Sequence, residues 1–283
     1  IAQRYMQEYQ TDADGLGVRP ADIAPKATES MDEIIQIVKE LVDKDFAYER
    51  NGDVYFRSRR FDEYGKLSHP PLDELNAGKR IDVSEQKEDG LDFVLWKASK
   101  PGEPSWESPW GQGRPGWHIE CSAMVRKHLG ETIDIHGGGQ DLIFPHHENE
   151  IAQSECAFGK DSVRYWMHNG YINVDNHKMS KSLNNFFTVR DVAERYGYEP
   201  IKYLMLQAHY RSPINYSIEV IEQCKAALER LRTCRDNLDF VAANSVDNAN
   251  TGGSDAFAAS LQGRQAQFEA AMDDDLNTAD AIA

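Results

Sequence analysis

The chain has 283 residues, of which 40% are hydrophobic and 28% are charged, and its formal net charge is −16. These values are typical of a globular protein that can bury a core, and they argue against a protein coated everywhere in nucleic acid. No run of 18 apolar residues occurs and neither end resembles a targeting segment, so we predict a cytoplasmic protein without membrane segments. Because the first residue is Ile1 and residues 275–283 resemble an interrupted helix, we expect a piece of a longer protein.

The first third of the chain predicts two helices and a hairpin. Residues 1–9 resemble the end of a helix, and Ser30 to Glu33 forms a capping-box pattern before apolar residues at helical spacing. Asn51-Gly52 predicts a tight turn between two short strands, because both turn residues must tolerate positive φ. The polar residues 57–90 resemble an insertion rather than part of a central sheet.

The middle of the chain alternates strands and helices, which is the order expected of an α/β nucleotide-binding type of fold. The C-terminal third is helical, with helices predicted after Thr188, at Pro200 and after Ser217, and with a flexible link at 244–254. The predicted middle elements are a strand at 91–96, a helix at 118–129, a strand at 132–136, a helix beginning at Pro145, and strands at 163–167 and 171–174.

Four cysteines lack the short paired spacing of a disulfide framework, so we expect reduced thiols. Cys121 differs from the others, because it lies near a helix start, where the helix dipole favours the thiolate that zinc requires. A buried cysteine without a ligand role remains the alternative. Cys156, Cys224 and Cys234 occupy helical patterns and are interpreted as packing residues.

His146 and Glu150 are four residues apart after Pro145, so a helix beginning at the proline would place both on one face. An imidazole and a carboxylate there could bind one divalent metal ion, whereas His147 is expected to point elsewhere. Together with Cys121 the set favours zinc over magnesium or calcium. The alternative is an exposed, charged helix start.

The run His136 to Asp141 contains three glycines after a strand, so a ligand could approach the backbone at this sheet edge. Asp141 could bind an ammonium group, or it could simply cap a helix. Trp117 lies close enough to Cys121 in the chain to line the same pocket, although it could also be a core residue.

The segment around Lys178 and Lys181 carries two cations three residues apart, with Ser180 and Ser182 beside them. This pattern suits a triphosphate, because the lysines could neutralise the charge that develops when the α-phosphorus is attacked. A solvated Lys/Ser loop is the alternative.

Four motifs together resemble the cysteinyl-tRNA synthetase family of class I aminoacyl-tRNA synthetases. They are Trp117 to Met124, Asp134 to Gly139, Phe144 to Glu150, and Lys178 to Ser182, in the family's order along the chain. The resemblance implies an α/β fold with an incomplete Rossmann-like catalytic core, a connective insertion and a helical C-terminal region. It implies the end of the first half of the core at 1–28, the connective insertion at 29–112, the second half of the core at 113–175, the signature loop and stem-contact region at 176–216, and the start of a helical C-terminal domain at 217–283.

The resemblance also implies an activity and a set of site residues. A monomeric enzyme would activate L-cysteine with ATP and magnesium to cysteinyl-adenylate, and then transfer cysteine to tRNA(Cys). A substrate thiolate can bond to zinc at about 2.3 Å, which serine and alanine cannot match. By position, the zinc ligands would be Cys121, His146 and Glu150; the amino-acid pocket would contain Trp117, His136 and Asp141; and Lys178, Ser180, Lys181 and Ser182 would act on ATP.

The chain departs from the family pattern at three points. A tetrapeptide of the His-Ile-Gly-His type and an N-terminal cysteine as fourth zinc ligand are absent, so we expect this piece not to be active by itself. Asn184 stands where the family usually has glycine, which we expect to change a rate rather than abolish function. Three other interpretations remain open, namely a ligase that joins cysteine to an amino sugar, a zinc hydrolase, and a binding module using basic residues of 195–235.

Overall fold

The computed structural model describes residues 1–69, 86–179, 187–244 and 254–283. Contacts divide the chain into two compact units, one of residues Ala21–His168 and the other of residues Ile1–Pro20 with Asn169–Ala283. The predicted link at 244–254 lies largely outside the described residues, and so does the part of the polar segment 57–90, predicted as an insertion, that spans residues 70–85. The domain boundaries implied by the resemblance stay predictions.

The unit of residues 21–168 combines a four-stranded sheet with three helices and a separate strand pair. The sheet has the strand order β1-β2-β3-β4, with antiparallel neighbours throughout, and β5 pairs with β6. Its elements are α2 (Met31–Asp43), β1 (Ala47–Arg50), β2 (Asp53–Phe56), β3 (Phe93–Ala98), β4 (Gly113–Pro115), α3 (Ile119–Leu129), β5 (Ile133–Gly139), α4 (Glu148–Phe158) and β6 (Val163–Asn169).

The predicted hairpin is confirmed. Ala47 pairs with Phe56 and Arg50 pairs with Asp53, so that Asn51 and Gly52 form the turn with φ values of 57° and 84°. Both residue types tolerate this left-handed conformation, which explains why a local signal was sufficient.

The core of this unit lies between α2, the sheet, α3 and α4. The apolar residues at helical spacing in α2 are buried, which confirms the predicted helix. Ser30 precedes this helix but does not cap it with its side chain, because its hydroxyl donates to the carbonyl of Lys26 at 3.2 Å. The capping-box prediction was therefore wrong in its hydrogen bond and right in its position.

The start of α4 differs from the prediction. The sequence placed it at Pro145, but α4 begins at Glu148 and follows an irregular turn in which Phe144 has extended dihedral angles. Within Ile143–His147 the dihedral angles depart from helical values at Phe144, before Pro145, so His146 and His147 lead into α4 and each lies about one turn from Glu150.

The described residues of the other unit form six helices and a three-stranded sheet of the order β8-β7-β9, in which β7 is parallel to β9. Thr188 and Asp191 form a full capping box, as predicted, and the hydroxyl of Ser217 accepts from the amide of Val220 at 3.2 Å. The helix predicted to begin at Pro200 begins two residues earlier, at Tyr198. The elements are α1 (Ala2–Gly15), β7 (Ile172–Val174), β8 (His177–Lys178), α5 (Val189–Tyr196), α6 (Tyr198–Leu206), β9 (Ile214–Tyr216), α7 (Ile218–Asn244), α8 (Ser254–Asp273) and α9 (Thr278–Ile282).

An arginine clamp joins the first helix to the later part of this unit. The guanidinium of Arg190 donates to Asp12 at 3.1 Å and to the carboxylate of Glu8 at 2.5 Å. Two chain segments separated by more than 150 residues are thereby fastened together. Among the described residues, no helix combines the length and apolar character needed to cross a bilayer.

Candidate metal centre

Three side chains that can bind a metal ion converge in the unit of residues 21–168. His136 lies on β5, His147 precedes α4, and Glu150 lies in the first turn of α4. One ligand atom from each lies within 4.8 Å of the other two. His147 and Glu150 are buried and His136 is partly buried, so the group is withdrawn from solvent.

Glu150 is a buried acid whose neighbours are imidazoles. A carboxylate oxygen of Glu150 lies 3.4 Å from Nε2 of His136. Burial raises the pKa of Glu150 to about 8, so without a metal ion the proton is retained near neutral pH. Burial and the neighbouring histidines lower the pKa of His147 to about 3, and burial lowers the pKa of His136 as well. Two neutral imidazoles therefore face one acid.

A second layer of aromatic side chains supports the histidines. Nδ1 of His147 lies 2.8 Å from Nε2 of His168, which orients the His147 ring. The Trp166 ring lies 4.6 Å from the His136 ring and 5.0 Å from the His147 ring, measured between centroids. Trp166 and His168 are two residues apart on β6 and therefore lie on one face of the strand, and the planes of their rings are nearly parallel.

Gly138 has a specific reason to be glycine. A Cβ atom at this position would lie 2.8 Å from Cε1 of His147, closer than packed side chains approach. The sequence indicated that the glycine run admits a ligand to the backbone, whereas at Gly138 the group that approaches is the His147 ring.

Cys121 lies near this group but is not one of its three members. It lines a cavity of about 340 Å³ together with His136. Cys121 is exposed on one side, yet desolvation by the surrounding protein, followed by the charges of Glu150 and Glu120, raises the pKa of its thiol to about 12. The expectation that the helix start lowers this pKa was wrong, because desolvation and two acids outweigh the helix dipole.

His146 lies among aromatic rings. Its ring centroid is 4.5 Å from that of Trp117 and 4.6 Å from that of His118. His118 is buried enough that burial, followed by the nearby His146, lowers the pKa of His118 to about 4. Nδ1 of His118 is buried without a hydrogen-bond partner among the described residues.

The remaining predicted site residues are Trp117, Asp141 and the segment around Lys178. Trp117 is 74% exposed, so the alternative that it is a core residue was wrong. Asp141 is exposed and lies in a short 3-10 helix, Gln140–Leu142. The backbone of Lys178 ends β8, whereas Ser180, Lys181, Ser182 and Asn184 lie outside the described residues.

The structure thus unites Glu150 with His136 and His147, and leaves the predicted ligands Cys121 and His146 outside this closest group. The expectation that His147 points elsewhere was wrong, because residues three apart in a helical turn are neighbours, as His147 and Glu150 are. Sequence reasoning also missed Trp166 and His168. Trp166 lies on the predicted strand 163–167 and His168 lies one residue beyond it, so a longer strand with both residues on one face was the signal that could have found them.

The donors fit zinc. Two imidazoles and a carboxylate, with a thiol lining the neighbouring cavity, are the ligand types that zinc binds in proteins. The buried acid with a raised pKa supports the same assignment, since a divalent cation would stabilise the Glu150 carboxylate that burial disfavours.

Comparison with known proteins identifies the family of the chain. A family model described as the catalytic domain of class I (C) tRNA synthetases matches residues 1–226. The chain belongs to this family. Its fold is accordingly the class I catalytic fold, in which the strands and helices around His136, His147 and Glu150 (the candidate metal group) form an incomplete Rossmann-like core.

Similar proteins of known name are cysteine-tRNA ligases. The chain is 58% identical over 281 residues to that of Caldicellulosiruptor saccharolyticus, covering 99% of this chain and 60% of the relative. It is 54% identical over 282 residues to that of Clostridioides difficile, covering 100% of this chain and 61% of the relative. The chain therefore spans about three fifths of the length of these relatives.

Solved structures support the fold. Methionyl-tRNA synthetase of Mycobacterium tuberculosis in complex with methionyl-adenylate has a TM-score of 0.72 at 15% identity, covering 99% of this chain and 67% of that one. Its ligand-free form has a TM-score of 0.66 at 14% identity, with the same coverage. At such identity the likeness concerns the fold alone.

Proposed function

We propose that this chain carries the amino-acid site of an enzyme that activates L-cysteine with ATP and transfers it to tRNA(Cys). The observation that carries the proposal is the buried group of Glu150, His136 and His147 beside a cavity lined by Cys121. The names of the relatives at 54% to 58% identity support the choice of cysteine and tRNA as substrates.

We propose that a zinc ion binds at Glu150, the residue common to the predicted ligand set and the geometric group. Cys121 and His146 remain the ligands that the resemblance adds, and His136 and His147 are the imidazoles nearest to Glu150. When bound, zinc would supply a bond to the substrate sulfur that serine and alanine cannot form comparably. A hydrophobic pocket gains only about 1–3 kcal/mol per methylene, so such a bond gives stronger selection.

The chain's own residues would shape the rest of this site. The exposed face of Trp117 beside His146 offers an aromatic wall, and the exposed carboxylate of Asp141 can accept hydrogen bonds from the substrate ammonium group. His136 lines the cavity and approaches Glu150, so it connects the substrate space to the metal group. These roles bind and orient the substrate rather than transfer protons.

Activation itself needs positioning and charge neutralisation. The cysteine carboxylate attacks the α-phosphorus of ATP, cysteinyl-adenylate forms, and pyrophosphate leaves with the magnesium ion that accompanied ATP. We propose that Lys178 and Lys181 neutralise the developing charge and that Ser180 and Ser182 donate hydrogen bonds. This part of the proposal rests on the sequence motif, because Lys181 and both serines lie outside the described residues.

The test is cysteine-dependent exchange of labelled pyrophosphate into ATP by the protein as its gene encodes it. Exchange that requires cysteine and is not supported by serine would support the proposal, and absence of cysteine-dependent exchange would overturn it. Transfer of cysteine to tRNA or to an amino sugar, measured side by side, distinguishes the synthetase from the related ligase. We propose that the enzyme is cytoplasmic and monomeric. Gel filtration with light scattering measures the molar mass and so checks the monomeric state.

A further inference from the structure

Glu148 is the first residue of α4, and its side chain is completely buried. Charged side chains are rarely buried to this extent unless their polar atoms are fully paired. Glu148 is also two residues from Glu150 and adjacent to His147, both of which belong to the metal group. Its partners therefore determine how the first turn of α4 is held.

Among the described residues, the hydrogen-bond partners of the Glu148 carboxylate belong to one short segment, residues 65–68. One carboxylate oxygen accepts from the amide of Gly65 at 2.8 Å. The other accepts from the amide of Leu67 at 3.2 Å, and from both the amide and the hydroxyl of Ser68 at 2.8 and 2.7 Å. Four donors thus converge on one carboxylate, an arrangement suited to an ionised acid, whose two oxygens offer only acceptors.

Two further side chains of this part of the chain, Tyr64 and Lys66, contact α4 as well. The hydroxyl of Tyr64 donates to Oδ1 of Asn149 at 2.5 Å, and Nζ of Lys66 lies 2.5 Å from a carboxylate oxygen of Glu155. Residues 64–68 therefore lie at the start of α4, and the long side chain of Lys66 reaches Glu155, seven residues beyond Glu148.

Among the described residues no side chain caps α4, and the amide of Glu148 instead donates to the carbonyls of Ile143 and Pro145 in the preceding turn. That turn is interrupted at Phe144, which has extended dihedral angles. The hydrogen bonds that Glu148 accepts come from a different segment of the chain, so they fix the position of this end of α4 relative to residues 65–68.

We propose that Glu148 is a positioning residue of the amino-acid site, which fastens the first turn of α4 to residues 65–68 and thereby sets the placement of His147 and Glu150. Glu148 does not touch the substrate or the metal ion; it acts through its neighbours. This inference rests on the proposed function for its kinetic readout, but its metal-binding readout is independent of that function.

The decisive variant is Glu148→Gln in the gene-encoded protein. The amide keeps the volume but presents an NH₂ group to amides that donate, so at least one hydrogen bond is lost and two donors face each other. We expect zinc affinity, measured by competition with a colorimetric chelator, and the KM for cysteine each to worsen about tenfold or more, since small displacements of positioned groups have effects of this size. The KM for ATP should stay within about twofold, because the proposal gives Glu148 a role at the cysteine site and not at the ATP site.

Glu155→Gln is the matched control, because it weakens the contact of the same segment to the same helix away from the metal group. Its zinc affinity and cysteine KM should equal those of the wild type. An equal effect of Glu155→Gln and Glu148→Gln would show general loosening and would overturn the proposal. An unchanged zinc affinity and cysteine KM in a folded Glu148→Gln variant would overturn it too.

A second pair of variants covers the case in which Glu148→Gln does not fold. Ser68→Ala removes one donor to Glu148, and Ser68→Thr keeps the hydroxyl. We expect the cysteine KM and zinc affinity of Ser68→Ala to worsen about threefold, with Ser68→Thr near the wild type. Identical values for both variants would contradict the proposal. If the wild type lacks cysteine-dependent exchange, the proposed function fails, while the zinc measurements still test the role of Glu148.

Discussion

Nε2 of His136 lies 3.4 Å from a carboxylate oxygen of Glu150, although one residue belongs to a strand and the other to a helix. His147 completes the group, with a ligand atom within 4.8 Å of both. The contact places an acid with a raised pKa against a neutral imidazole, which is the arrangement that a metal cation would stabilise most. The predictions below start from this contact.

Glu150→Gln should abolish tight zinc binding. The amide keeps the shape of the side chain but cannot supply an anionic oxygen, so we expect zinc affinity to fall on the order of 100-fold. Elemental analysis after dialysis measures this directly. Glu131→Gln, which removes an exposed acid paired with Lys160, is the control and should retain the wild-type metal content. Full zinc content in Glu150→Gln would place the metal elsewhere.

Cys121→Ser tests whether the thiol beside the cavity is a zinc ligand. A serine hydroxyl binds zinc less well than a thiolate, so we expect lower zinc content and a higher cysteine requirement in pyrophosphate exchange. Cys234→Ser, at the other exposed cysteine, should change neither quantity. Unchanged zinc content in Cys121→Ser would count against ligation and would favour a site made of His136, His147 and Glu150.

The pH dependence of thiol alkylation provides a separate check on Cys121. The thiolate is the reactive form, and a pKa of about 12 leaves very little thiolate near neutral pH, so Cys121 in zinc-free protein should react slowly. Its rate should rise steadily as the pH increases towards that value. Above about pH 8, where Glu150 is ionised, Glu150→Gln should speed the reaction, because it removes one of the charges that raise the pKa of Cys121.

Peptide mapping by mass spectrometry after timed exposure to iodoacetamide gives the Cys121 rate separately from those of the other cysteines. Cys234, which is also exposed, is the internal comparison and should react faster than Cys121. Rapid alkylation of Cys121 at neutral pH would contradict the electrostatic argument.

Lys181→Ala should slow adenylate formation while leaving the fold intact. The lysine is proposed to neutralise charge on the triphosphate only as the α-phosphorus is attacked, so its loss should lower kcat for exchange by about 10²-fold. Lys160→Ala removes a surface lysine from the pair with Glu131 and should exchange at the wild-type rate. A normal rate in Lys181→Ala would show that this lysine is only surface charge.

Local signals predicted local structure well. Asn51-Gly52 identified the hairpin because positive φ is a property of those two residues, and Thr188 with Asp191 identified a helix start because both partners of the capping box lie in one turn. Ser30 occupied the predicted position, but its hydroxyl bonded to Lys26 instead of the helix. The pattern therefore located the helix end without determining its hydrogen bond.

The metal group could be predicted only in part. Glu150 belongs both to the predicted ligand set and to the group that the structure brings together, and His136 was placed near it by the resemblance. The spacing argument for His146 considered residues four apart, whereas residues three apart in a helical turn are neighbours too. His147 therefore faces Glu150 in the group, while the His146 ring packs against Trp117 and His118.

By itself the sequence determined the family, the kinds of side chain available for a metal ion, and the helices and turns whose signals lie within a few residues. The tertiary structure alone decided which imidazoles meet Glu150 and which segment holds Glu148. The physical reason is that these contacts join β5 to α4, and α4 to residues 64–68, across 14 and 83 residues of chain respectively. Residues of different elements come into contact through packing, as Gly138 and the His147 ring do. The periodicity within a single helix or strand does not predict such contacts.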